Sequence, residues 1–271
     1  MTPHLLVGVD GSGPSRAAAR WAGDRATALG WGVLLLHVLD DEWGGVGHDV
    51  IEELQRRAEA TLESERAHLL DVLPGLAVEV RSVHGSPMNE LALASPSAAM
   101  VVVGTHRTGF VRGRVVGSRS LQLAAAARVP IAIVPEQLGR HRHGVTVGLD
   151  DSPAAAAALA FAVDECRRVR TELTVLRAVP REGPPLDHPS DDPLLVSAVR
   201  SARSQLPEGV VVRARLTRRD PADALLDAGR GADLLVVGST RRQGPASWTL
   251  GHVSHDVLLN LTGPTVVIHA S

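Results

Sequence analysis

Residues 101–120 read VVVGTHRTGFVRGRVVGSRS. A valine run ends at Gly104, then Gly109, Gly113 and Gly117 follow, with Ser118 and Ser120 just after. A glycine-rich connection from strand to helix exposes backbone N–H groups, and the next helix turns its positive end toward the same place. Such a loop suits phosphate. Gly117 and Ser118 fall at the start of the expected helix, and the two serine hydroxyls add hydrogen-bond donors. Arg107, Arg112 and Arg114 either join in holding an anion or stay solvated in an ordinary turn. Spacing alone leaves both readings open.

The chain restricts the chemistry further. All 28 basic residues are Arg and none is Lys. A Walker-type phosphate loop and a Schiff-base enzyme both need a Lys, so both are excluded. Phosphate here must meet backbone N–H groups, hydroxyls and guanidinium forks. The net charge of −2 gives no global field toward nucleic acid or anionic lipid. With no Tyr and two Phe, base-stacking platforms are scarce, so nucleic acid is not an expected partner. The single Cys166 cannot form an intrachain disulfide and fits a reducing compartment. The start MTPHLLVGVD lacks a basic segment and a long apolar run. No stretch is apolar for ~18 residues, so no membrane span is expected and a cytoplasmic protein is.

The chain says the same thing twice. HLLVGVDGSGPSRAAARWA from His4 matches GVTVGLDDSPAAAAALAFA from Gly144, with Asp10 and Asp150 separated by 140 positions. Farther on, Gly104 matches Gly238 and Gly117 matches Gly251, both at a separation of 134. The second copy is therefore shorter between about residues 40 and 82. A repeat of this length is a duplicated domain rather than a solenoid unit. Domains over 1–138 and 143–271 are expected, joined near EQLGRHRH.

Each copy reads as alternating strands and helices. His4–Val9 suits a buried parallel strand. Ser12 or Ser15 then caps a helix with Pro14 in its first turn, which stops at Gly30. Ala18, Trp21, Ala22, Arg25 and Leu29 mark one side of it. WGVLLLHVL is the second strand. Residues 49–70 form a polar helix striped by Ile51, Leu54, Ala58, Leu62 and Leu69. LAVEVRSV, AMVVVG and PIAIVP are further strands, separated by helices over 87–94 and 118–127. This alternation means an α/β domain with a parallel sheet, right-handed crossovers and helices on both faces. Ligands in such sheets bind outside the carboxyl ends of the strands. Asp10 and the loop after Gly104 both lie there.

Several features have competing readings. GSGPSR imitates the start of a dinucleotide fingerprint, with Asp40 where a ribose-binding acid would stand. Against it, Arg16 replaces the third glycine, Asp10 would face the pyrophosphate, and the second copy has DDSPAA. Asp10 and Asp150 are either turn-capping residues, acceptors for a ribose hydroxyl or base edge, or outer-shell partners of Mg²⁺. RHRH at 140–143 reads as a solvated linker, since no Cys or carboxylate cluster accompanies it at ligand spacing. Cys166 reads as a small core residue. Gly44–Gly47 and the Pro-rich stretch 180–193 mark flexible connections. No catalytic group can be assembled from these residues, and whether they hold a metal is left open.

VGVDGS, GSP before a short helix, Gly104, Gly117-Ser118 and VPIAIVP together resemble the universal stress protein family. The likeness covers both copies and has the tandem-domain form. It implies two copies of an α/β sandwich around a five-stranded parallel sheet, similar to the adenine-nucleotide alpha-hydrolases, packed as a pseudo-dimer. It also implies ATP binding, with Mg²⁺ as an optional companion, through the pattern G-x-x-G, nine residues, G-[ST]. Gly104, Gly117 and Ser118 fill this pattern, but Arg107 stands at the second glycine. By the resemblance, Asp10 and Val38 line the adenosine. Val103, Gly104, Arg107, Gly117, Ser118, Arg119 and Ser120 surround the ribose and phosphates, with Gly109 inside the loop. The second set is Asp150, Gly238, Arg241, Gly251, His252, Val253 and Ser254. Arg241 replaces a glycine there and His252 the hydroxyl, so the first copy is expected to bind better.

The expected role is an ATP-binding stress-response module with at most slow hydrolysis. A homodimer and a protein partner are left open. A nucleotide-free member acting through dimerisation is the rival, favoured by Arg107 and His252. An adenine-nucleotide-dependent ligase would carry S-G-G-x-D-S where DGSGPS stands.

Overall fold

A computed structural model describes residues 3–40, 48–105, 118–137, 141–180, 182, 188–240, 242–243 and 248–270. They fall into two compact units, which change over after Gln137.

In the first unit, β1 (His4–Gly8) runs into α1 (Gly13–Leu29), then β2 (Gly32–Leu39), α2 (His48–Val72) and β3 (Val78–His84). After these come α3 (Pro87–Ala94), β4 (Met100–Thr105), α4 (Ser118–Ala126) and β5 (Ile131–Pro135). The strands are parallel in the order β3-β2-β1-β4-β5. The chain moves outward from β1 to β3, then returns to β4 beside β1. The carboxyl ends of β1 and β4 thus flank a switch point, where the two loops diverge and leave a crevice.

The second unit repeats this plan. It has β6 (Val145–Leu149), α5 (Pro153–Val169), β7 (Leu173–Ala178), α6 (Pro193–Gln205) and β8 (Val212–Thr217). Next are α7 (Pro221–Gly231), β9 (Leu234–Ser239), β10 (Arg242–Gln243), β11 (Trp248–Thr249), α8 (His252–Leu259) and β12 (Thr265–His269). Its parallel strands follow the order β8-β7-β6-β9-β12. The antiparallel pair β10–β11 has no counterpart among the described residues of the first unit.

Local chemistry explains the element ends. Ser12 is the cap of α1: its hydroxyl accepts from the Ser15 N–H at 3.3 Å. Ser152 does the same for α5 from the Ala155 N–H at 3.1 Å. Gly30 closes α1 at φ +66°, a left-handed conformation that costs glycine little. Its counterpart Arg170 adopts φ +53° at the end of α5.

The cores are aliphatic and small-residue rich. The buried face of α1 is Ala18, Ala19, Ala22, Gly23 and Ala26. Trp21 is only half-buried and carries the Arg25 guanidinium 4.8 Å from its ring centroid, a cation–π contact. The α2 stripe is split. Ala58, Leu62 and Leu69 are buried, whereas Ile51 and Leu54 are exposed. Cys166 is buried in α5, with its Sγ 3.6 Å from the Glu172 carbonyl oxygen. No helix among the described residues is long and apolar enough to cross a membrane.

The two expected flexible connections fare differently. Residues 44–47 lie outside the described residues. Within 180–193, Pro189–Asp191 forms a short helical turn and Asp192 caps α6, accepting from the Leu195 N–H at 2.7 Å. That end of the stretch is therefore ordered structure, fixed by a buried carboxylate.

Candidate nucleotide cleft

In the first unit a cleft of about 370 Å³ opens at the carboxyl ends of β1, β2 and β4. This falls in the range of roughly 300–1,000 Å³ common for small-molecule sites. Its lining includes Asp10, Val38, Val103, Gly104 and Ser120, so the cleft gathers these five expected residues. It also includes Ser12, Ser15, His37, Asp40, Met88 and Leu91, which were not assigned to a nucleotide site by the resemblance. The walls thus combine apolar side chains such as Val38, Met88, Leu91 and Val103 with polar groups on the turn after β1, at the end of β2 and at Ser120.

That turn fixes Asp10. The Ser12 N–H donates to Asp10 Oδ1 at 3.0 Å, and the Asp10 N–H reaches Ser15 Oγ at 3.4 Å. Ser15 Oγ in turn donates to the Ser12 carbonyl at 3.0 Å. Gly11 allows this tight path at φ +76°. Burial pushes the Asp10 carboxyl up. The hydrogen bonds from Ser12 and Ser15, with the nearby His37, outweigh burial and hold it below its ordinary value. Asp10 is therefore ionised at neutral pH, an acceptor-only group. The capping and ligand-accepting readings are compatible, because Asp10 holds the turn through Oδ1 and also lines the cleft.

Gly104 has a second duty. A Cβ there would run into the Pro14 carbonyl and lie 2.7 Å from the Ser15 nitrogen. A Cβ on Gly238 would likewise come within 2.6 Å of the Ala154 carbonyl oxygen. Both glycines let the first turn of a helix press on the end of a strand. This packing need exists whether or not a ligand is bound, and each glycine also lines its cleft.

Arg107, Gly109 and Gly117 lie outside the described residues, as does Arg241. Ser118 and Arg119 open α4. Ser120 follows them in its first turn and faces the cleft.

The second unit is built differently at the same place. The cleft beside Asp150, Gly238 and Val253 measures about 110 Å³ and shares Ala178 and Pro221 with an adjoining hollow of about 460 Å³. Asp150 keeps its turn role, accepting from the Ser152 N–H at 2.9 Å. His252 points outward, its side chain 87% exposed and its Nε2 3.5 Å from Asp256. Ser254 is buried and donates to Ser239 Oγ at 2.9 Å, while the Gly251 N–H donates to the same oxygen at 3.2 Å. The N–H and hydroxyl that would meet phosphate at the α8 start are thus engaged with Ser239. Of the expected second set, Asp150, Gly238 and Val253 come together. His252 and Ser254 do not join them.

The strand beside the cleft differs too. His37 of β2 corresponds to Arg177 of β7, as the registers Gly8↔Leu36 and Gly148↔Leu176 show. Arg177 Nε donates to Asp192 Oδ2 at 2.7 Å. This pair was missed in sequence; the signal was a His-to-Arg change at one position of the repeat.

The RHRH linker corrects another expectation. Arg142 is not a freely solvated residue. Its guanidinium donates to the carbonyls of Gly229, Ala232 and Thr262, and a Cβ on Gly263 would collide with it. Burial lowers its pKa, with Asp233 opposing. Arg142 thus satisfies carbonyls at the carboxyl end of α7. Among the described residues no group of three or more His, Cys, Asp or Glu is placed to hold a metal ion.

Comparisons agree with this duplicated architecture. The model of the universal stress protein family matches residues 1–135 and again 142–269. A universal stress protein of Mycolicibacterium smegmatis is 32% identical over 283 residues, covering 97% of this chain and 96% of its own. One from Mycobacterium tuberculosis is 30% identical over 299 residues, covering 97% and 94%. The crystal structure of a universal stress protein from Archaeoglobus fulgidus superposes with a TM-score of 0.79 at 21% identity, covering 99% and 98%, which speaks for the fold. With two family matches in sequence and the same strand order in both units, the chain belongs to the universal stress protein family, in its tandem-domain form.

Proposed function

We propose that the chain is an ATP-binding regulatory module whose working site is the cleft of the first unit. The observation that carries this reading is the contrast at the helix start beside each cleft: Ser120 lines the first cleft, whereas the Gly251 N–H and the Ser254 hydroxyl of the second unit are engaged with Ser239. Adenosine needs an apolar slot for the base and an acceptor for ribose hydroxyls. Val38, Met88, Leu91 and Val103 supply the first in unit one, and ionised Asp10 the second. Ser120 and the amino end of α4 lie on the side where phosphates would continue. The remaining phosphate contacts, including those expected of Arg107 and Gly117, fall outside the described residues. Mg²⁺, when present, is expected to travel with the phosphates, because the described residues offer no ligand cluster.

A calorimetric titration of ATP–Mg²⁺ tests the proposal. One site per chain is expected. No heat, combined with no nucleotide released from purified protein on denaturation, would overturn it.

A second reading is a member that works through protein contacts alone. The engaged Ser254 and the outward His252 favour it for that unit. Sedimentation with and without ATP separates the two: a partner-only protein would show the same association state in both.

A further inference from the structure

A second hollow of the first unit is larger than the nucleotide cleft. It lies at the opposite, amino-terminal ends of β1, β2 and β3 and measures about 690 Å³. Two tight turns form its walls. One is the α1–β2 turn with Gly30, Trp31 and Gly32, the other the α2–β3 turn around Gly75. Gly30 and Gly75 hold φ +66° and +89°, with nothing within 4 Å of where a Cβ would project.

Polar groups are placed around this apolar slot. Glu79 and Arg81 both line it. They are two apart on β3, so they share one face of the sheet, opposite Leu34 and Leu36 in the register. Both are exposed, and neither forms an ion pair among the described residues. The half-buried Trp31 of the α1–β2 turn also lines it. His4 also lines the hollow, and its Nε2 is buried without a hydrogen-bond partner. Buried polar atoms without partners are uncommon and invite a ligand or water.

The duplicated unit supplies the contrast. Gly32 corresponds to Glu172 and Glu79 to Arg213. There Arg213 Nη2 lies 3.0 Å from Glu172 Oε2, and Thr171 replaces Trp31. The same place is therefore bridged by an ion pair in one unit and left open, with an unused acid and base, in the other.

We infer that this hollow binds a small zwitterion with an aromatic side chain, of the chemical class of an aromatic α-amino acid. Arg81 takes the carboxylate by a charge-assisted bond, Glu79 takes the ammonium group, and the ring lies against Trp31 and the glycine-walled slot. The site is independent of the ATP reading, since it shares no lining residue with the nucleotide cleft.

The test is equilibrium titration of L-phenylalanine and L-tryptophan into the full chain, followed by calorimetry, with phenethylamine and 3-phenylpropionate as singly charged controls. Saturable binding of the zwitterions is expected, with each control weaker by about tenfold, the loss of one charged contact. Arg81→Gln should weaken the amino acid to a similar degree. Gly32→Glu combined with Glu79→Arg should abolish binding by copying the ion pair of the second unit; the Cβ at position 32 meets Ala77 O at an ordinary 3.4 Å, so the backbone accepts it. ATP affinity should stay unchanged in both variants. Absence of saturable binding in the wild-type chain, or equal binding by wild type and Arg81→Gln, would overturn the assignment.

Discussion

Arg177 Nε lies 2.7 Å from Asp192 Oδ2, at the strand position where the first unit carries His37. The two side chains are 20% and 6% exposed, so the pair is largely removed from water. Asp192 also caps α6. One carboxylate therefore ties a strand to the helix that follows it. Removing it leaves a buried guanidinium without its partner and α6 without its cap. Asp192→Ala is expected to cost about 3 kcal/mol, read from denaturant unfolding of the second unit. A change within ~0.5 kcal/mol, the range of ordinary surface substitutions, would show that the pair does no structural work.

The same carboxylate links stability to pH. Burial raises the Asp192 pKa, but the Leu195 N–H and Arg177 outweigh it, and the folded value lies below the ordinary one. Asp10 is lowered in the same net direction. A depressed folded pKa contributes stability that is full above the unfolded value of about 3.9 and is lost as pH falls through the folded value. Acid unfolding of Asp192→Asn should therefore show a shallower loss of stability below pH ~4 than wild type. Identical slopes would contradict a stabilising, ionised Asp192.

Gly104 and Gly238 make a matched pair. Each lets a helix start touch a strand end, with Ser15 N or Ala155 N 2.7 Å from an imagined Cβ. Gly104→Ala and Gly238→Ala should each destabilise their own unit by about 3 kcal/mol, because the obstacle is backbone and cannot rotate away. Gly251→Ala is the control: its Cβ would meet Thr240 Oγ1 at 3.4 Å, ordinary contact, and little loss is expected.

Arg142 donates to the Gly229 and Ala232 carbonyls at the end of α7 and to the Thr262 carbonyl between α8 and β12. Arg142→Ala should lower the stability of the second unit by roughly 2–4 kcal/mol, and Arg142→Lys should not restore it, since an ammonium lacks the planar fork. Unfolding followed separately for the two units checks this. Full rescue by Lys would mean that charge alone matters.

Much of the architecture was legible in the residues alone. The separations of 140 and 134 identified the duplication, and Gly30 and Pro87 marked helix ends that the structure keeps, while of Ser12 and Ser15 the structure selects Ser12 as the cap. Other features escaped for physical reasons. The α2 stripe looked continuous, but its first turns carry exposed Ile51 and Leu54, because periodicity reports a face and not what covers it. Gly104 read as a phosphate-loop glycine, while its contact with Pro14 depends on a helix far from it in sequence. His252 and Ser254 followed from alignment with Ser118 and Ser120; rotation at the start of α8 sends one outward and the other under the helix toward Ser239. Arg142 looked like linker charge, since three scattered carbonyls leave no sequence signal.

The most direct test is an amide-resolved NMR titration of the full chain with ATP–Mg²⁺. Saturable shifts are expected at Asp10, Val38, Gly104 and Ser120, with Asp150, Gly238 and Val253 unmoved. Shifts confined to the second group, or of equal size and affinity in both, would contradict a nucleotide site held in the first unit.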